Sequence, residues 1–253
     1  MLTIAAPAEP IPARHPEGTL HGFLELTDEH GQVLADGDLI NIVHGDRVTA
    51  HLIFHFKDGS LDDETTVFTQ RGVFRLISDR HIQRGRYFPH PLDMSIDVRK
   101  GIVVTRSPGK DGEDEVATEH MKMPPDLYNG LVTPIIKNLS PNTPETKIAM
   151  IVTTPKPRLV TLAISPQGAE SFELAGMPHK SLAYEIKIEL GGVAGLVAPI
   201  IGKQPPNLFM WIVGGEVPTF LRERGPLFEG GEILDITLIG PTWKRGEGET
   251  PRK

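Results

Sequence analysis

Val48-Thr-Ala-His-Leu-Ile-Phe-His-Phe-Lys-Asp-Gly-Ser60 decides the fold class. Ala50, Leu52, Phe54 and Phe56 fall on one side of a period-2 strand, and Thr49, His51, Ile53, His55 and Lys57 on the other. Lys57-Asp-Gly-Ser60 then supplies a turn, with Gly59 free to take positive φ. From 64 to 83 the chain again reads as strand, bearing Gln70, Arg71, Arg80 and His81. The implied object is an antiparallel sheet with one face carrying His, Arg and Gln.

Outward from this hairpin, strand-like segments recur roughly every 8–12 residues, the spacing of a β meander rather than of βαβ units. They read as 18–27, 32–35, 39–43, 94–99 and 102–106, then 147–153, 158–165, 170–174, 181–190, 207–213 and 232–239. Asp28 to Gly31 and Asp36-Gly37 read as turns, and 107–115 as an exposed polar loop. Pro124-Pro125-Asp126 opens a helix carried by Leu127, Leu131, Ile135 and Ile136 and interrupted near Pro134. Residues 191–204 read as a second short apolar helix. The expected fold is mainly β: a large, strongly curved antiparallel sheet, half-barrel or barrel, of about a dozen strands with two or three short helices. One domain spans 18–244, between a flexible Ala/Pro-rich segment at 1–17 and a charged tail at 245–253.

Composition narrows the function. The chain has 253 residues, 39% hydrophobic and 23% charged, with a formal net charge of −7, which argues against a broad basic footprint for nucleic acid. It has 0 Cys, which excludes disulfides, thiolate metal sites and a cysteine nucleophile. No apolar run reaches the ~18 residues of a transmembrane segment. The 1–16 stretch resembles the Ala/Pro-rich tether that follows a cleaved export signal, so a periplasmic or otherwise exported location is expected, with a frayed cytoplasmic N-terminus as the alternative.

Site candidates are sparse. His51 and His55 share a strand face, but about 13 Å between their Cα atoms forbids a common metal ion, and no metal-ligand spacing occurs elsewhere. Six residues separate Gly195 from Gly202 and Gln204 follows Lys203, so a phosphate loop is absent, as is the dinucleotide glycine pattern. No cofactor is therefore expected. Arg71, Arg75, Arg80, Arg84 and Arg86 could meet an anion, although alternation scatters them over both faces. His55, Arg80 and His81 are the acid–base candidates. His51, His55, Gln70, Leu196, Ile200 and Trp211 are the candidates for lining a ligand site.

With Phe56-Lys-Asp-Gly-Ser-Leu-Asp-Asp-Glu-Thr65 and Gly202-Lys-Gln-Pro-Pro206, the chain resembles a family of bacterial proteins, often bearing export signals, with no assigned activity. At fold level it is loosely similar to half-barrel lipoprotein carriers of the bacterial envelope, where a curved sheet and lid helices enclose a hydrophobic cavity. The expectation is a non-enzymatic binder or carrier of an apolar or amphipathic, lipid-like small ligand. The alternatives are a small β-barrel enzyme using His/Arg acid–base residues, and a structural or adaptor module without a pocket.

Overall fold

The computed structural model describes residues 10–109, 113–153, 156–174, 177–189 and 205–240. Eight strands come first: β1 (Leu20–Thr27), β2 (Val33–His44), β3 (Arg47–Phe56), β4 (Leu61–Thr69), β5 (Arg75–Arg84), β6 (Leu92–Asp97), β7 (Ile102–Pro108) and β8 (Asp114–His120). A connection bearing α1 (Val132–Lys137) leads to β9 (Thr146–Val152), β10 (Arg158–Leu174), β11 (Met177–Glu189), β12 (Leu208–Val213), β13 (Thr219–Gly225) and β14 (Leu234–Ile239). All fourteen join one sheet, and each sequential pair within β1–β8 and within β9–β14 is an antiparallel neighbour. The two halves are stitched by β1 against β14, so β8 and β9 are the outermost strands and the sheet does not close.

The core shows how strongly it curls. Laid flat, fourteen strands would span about 60 Å. Yet Val48, Phe68 and Ile96 from β3–β6 share one apolar cluster with Ile148, Tyr184 and Met210 from β9–β12. Leu127, Tyr128, Leu131, Ile135 and Ile136 of the β8–β9 connection lie in the same cluster. The sheet therefore wraps around this connection, which fills its concave side as a plug.

Several sequence expectations are corrected. One helix, not two or three, occurs among the described residues; the segment 191–204 lies outside them. Leu127, expected in the helix, instead makes a parallel bridge to Ala149 on the β9 edge. Pro134 sits in the first turn of α1, where its missing N–H costs nothing because those donors have no intrahelical partner. Asp36-Gly37 lies inside β2 rather than in a turn: a Cβ at Gly37 would strike the Phe54 ring, so the glycine serves close packing. Part of the expected 107–115 loop, with the residues after it, forms β8, which is exposed along its whole length and so carries no apolar alternation. Nor is β13, Thr-Phe-Leu-Arg-Glu-Arg-Gly, marked by alternation.

Residues 10–17, assigned by composition to a flexible segment, are tied down across the plug. The Ile11 amide donates to Tyr128 Oη (2.9 Å), the His15 amide to Asn138 Oδ1 (2.7 Å), and Gln70 both accepts from and donates to the Glu17 backbone. The Glu17 carboxylate meets Lys137 Nζ at 2.7 Å, with the two side chains only 4% and 14% exposed. No helix among the described residues is long and apolar enough to cross a membrane.

Candidate functional site

The register aligns concave residues into rows that run across the strands. One row is Leu24, Gly37, Phe54, Asp62 and Gln83; the next is Gly22, Leu39, Leu52, Glu64, His81 and Met94; the third is Leu20, Asn41, Ala50, Thr66, Asp79 and Ile96. Each row changes character on β4 and β5. Asp62, Glu64 and Thr66 face Gln83, His81 and Asp79, a block of six polar side chains in rows whose one other polar residue is Asn41. A bulge helps to build it. Ile77 is the extra residue on β5, which brings Leu76 and Asp79, of opposite parity, to the same inner face.

The outer rows are covered at their polar ends, and the middle one is less so. Over the third row lies the plug, so close that a Cβ on Gly130 (φ +66°) would collide with Thr66 and touch Asp79. Over the first row lie the β5–β6 and β13–β14 connections, where Phe88 and Phe228 pack edge-on and Gln83 Nε2 donates to the Leu227 carbonyl (3.1 Å). Gly37, Phe54, Asp62, Asn41, Thr66 and Asp79 are buried, whereas Leu39, Leu52, Glu64 and His81 are half-buried; Met94 ends the middle row buried, and Leu20 and Ala50 of the third row are half-buried. The middle row is the floor of a trough, apolar at one end and ionisable at the other. Glu223 approaches from β13, its cross-strand partners Met210 and Ile236 belonging to the two separate apolar clusters.

The electrostatics of the polar end are tightly linked. His81 Nε2 donates to Asp62 Oδ1 at 2.7 Å, and His81 Nδ1 faces Glu64 Oε1 at 3.9 Å. Asp62 Oδ2 accepts from Gln83 Nε2 (3.0 Å), and Thr66 Oγ1 donates to Asp79 Oδ1 (2.8 Å). Burial alone would lower the His81 pKa, but the Glu64 and Asp62 charges outweigh it and raise it to about 9. Burial, then the Glu64 charge, pushes Asp79 up to about 8, and burial pushes Glu223 up to about 7. Burial also raises Glu64, with the Asp62 and Glu223 charges adding to it against His81. At neutral pH His81 is thus an imidazolium and Asp79 a neutral acid. An imidazolium already donating to Asp62 has no lone pair with which to act as a base.

The residues singled out from sequence are dispersed. His81 is in the trough, but His55 and Arg80 lie exposed on the convex face, so this trio does not converge. His51 is also convex, bonded to Asp63 Oδ1 at 3.0 Å. Gln70 holds the Glu17 backbone. Trp211 is convex, its Nε1 donating to Glu170 and its ring under the Arg222 guanidinium at 5.0 Å. Leu196 and Ile200 lie outside the described residues. Arg71, Arg75, Arg80, Arg84 and Arg86 are all exposed.

Sequence reasoning passed over Thr66, Asp79 and Glu223, and reached Asp62 and Glu64 only as carboxylates beside His55, which faces the other way. The available signal was parity: Asp62, Glu64 and Thr66 share the strand face of Phe68. Among the described residues no group of three or more His, Asp or Glu side chains is arranged to hold a metal ion. Two hollows lie elsewhere, one of about 80 Å³ beside Arg75 and Pro124 and one of about 300 Å³ between Arg80, Asp93 and Arg106. No protein-family model matches the chain, and no curated protein or solved structure is significantly similar to it.

Proposed function

We propose that the protein is a non-enzymatic binder of an amphipathic small ligand, received in the trough on the concave face. The observation that carries this reading is the middle row. Leu39 and Leu52 stay half-exposed beside Glu64 and His81, while Gly37, Phe54 and Asp62 on one side and Asn41, Thr66 and Asp79 on the other are buried. Such a lane offers an apolar tail and a polar head adjoining sites, the usual composition of a small-molecule site. Acid–base catalysis has less support, because His81 is already protonated and the other candidates face outward.

The test is binding of dodecyl maltoside, below its micelle concentration, to the full chain by titration calorimetry, with native mass spectrometry for any ligand retained on purification. Leu52→Gln is expected to weaken binding about tenfold or more, from the lost apolar contact. Trp211→Ala, on the convex face, should leave it unchanged. Saturable binding indifferent to Leu52→Gln and Leu39→Gln, or no binding and no retained ligand, would overturn the reading.

A further inference from the structure

We infer that the polar end of the trough takes an organic cation, an alkylammonium head group whose tail lies along Leu39 and Leu52. The inference rests on the amphipathic-ligand reading above and names its head. Four carboxyl groups enter this layer from three strands: Asp62 and Glu64 on β4, Asp79 on β5, and Glu223 on β13. The one cation facing them among the described residues, His81, is shared between Asp62 and Glu64.

Two acids are left over. Asp79 is 2% exposed, and its Oδ2 is buried without a hydrogen-bond partner. Glu223 has neither a hydrogen bond nor an ion pair among the described residues, yet its charge reaches Glu64. Burying a carboxyl group without a counter-charge, as at Asp79, disfavours folding, and a bound cation would relieve that cost. An anionic head would instead face Glu64 and Glu223, with His81 already engaged by Asp62 and Glu64.

The kind of cation follows from the spacing. No three of these groups gather as ligands around a metal ion. They are spread along the floor, one covered row and the opposite wall, which suits a head several ångströms across with diffuse charge. The apolar neighbour on the floor, Leu52 beside Glu64, suits the methylenes next to a quaternary or protonated nitrogen.

The experiment compares dodecyltrimethylammonium, dodecyl maltoside and dodecanoate on the full chain by titration calorimetry, each below its micelle concentration. The cation should bind on the order of tenfold more tightly than either other probe at pH 8. Its affinity should rise between pH 6 and pH 8, as Glu223 and Asp79 lose protons while the quaternary head keeps its charge. Glu64→Gln should weaken the cation on the order of tenfold, and weaken it far more than it weakens the maltoside. Glu223→Gln serves the same purpose if the first variant does not fold by circular dichroism.

Equal or tighter binding of the maltoside or dodecanoate would overturn the cation inference and leave the amphipathic reading standing. Cation binding indifferent to pH and to both variants would also overturn it. Failure of all three probes to bind would sink both.

Discussion

Asp79→Asn isolates the buried proton of the polar layer. The substitution keeps the shape, and the carboxamide oxygen it introduces can still accept from the Thr66 hydroxyl, now 2.8 Å from Asp79 Oδ1. The new NH₂ group would lie where Asp79 Oδ2 has no partner, so a cost of about 1 kcal/mol is expected at acid pH. The informative quantity is the pH dependence. Folding raises the Asp79 pKa from 3.8 to about 8, chiefly by burial and then by the Glu64 charge. Between those values the unfolded chain has lost this proton and the folded chain keeps it, so the parent loses stability as pH rises, by about 1.4 kcal/mol per unit. The variant lacks this dependence. Urea unfolding of both proteins at pH 5.5 and 7.5 should show the variant gaining about 2.5 kcal/mol on the parent over that interval. The contributions of His81 and Glu223, also raised on folding, are common to both proteins and cancel to first order. Parallel stability profiles from pH 5.5 to 7.5 would mean that Asp79 titrates as an exposed aspartate, and the account of the layer would fail.

Two further outcomes test the cover of the trough. Glu17→Gln removes the negative partner of a nearly buried Lys137 ammonium and should cost about 3 kcal/mol, lowering the thermal midpoint by about 6–12 °C; a drop below about 1 °C would show that the 10–17 strap adds nothing. Gly130→Ala combines a positive φ with a collision against Thr66, so a loss of about 2 kcal/mol or more is expected. Faster hydrogen exchange at the Tyr128 and Ala149 amides, which tie the plug to β9, would report the displacement.

The strands were largely legible, and the site was not. In β3 the parity is clear, because Ala50, Leu52, Phe54 and Phe56 make one side wholly apolar while Thr49, His51 and His55 flank Ile53 on the other, and the apolar side does face inward. In β4 both parities mix polar with apolar residues: Leu61, Asp63, Thr65 and Val67 against Asp62, Glu64, Thr66 and Phe68. Alternation cannot choose between them. The bulge at Ile77 then changes the parity of β5 partway along, so Leu76 and Asp79 share a face that no fixed period would give them. β8 and β13 escaped notice because their pairing comes from neighbouring strands rather than from an apolar face of their own.

The 48–60 hairpin shows where the division falls. Period-2 patterning and turn chemistry are local properties, so residue order alone specifies antiparallel strands in large number and the side that His51 and His55 share. Which side meets the core, the pairing of β1 with β14, and the packing of the plug depend on contacts between residues distant along the chain. Those contacts place His81 and the carboxyls around it on the inner face and leave the histidines of β3 outside. Burial and mutual repulsion, which no local pattern encodes, give that cluster its chemistry.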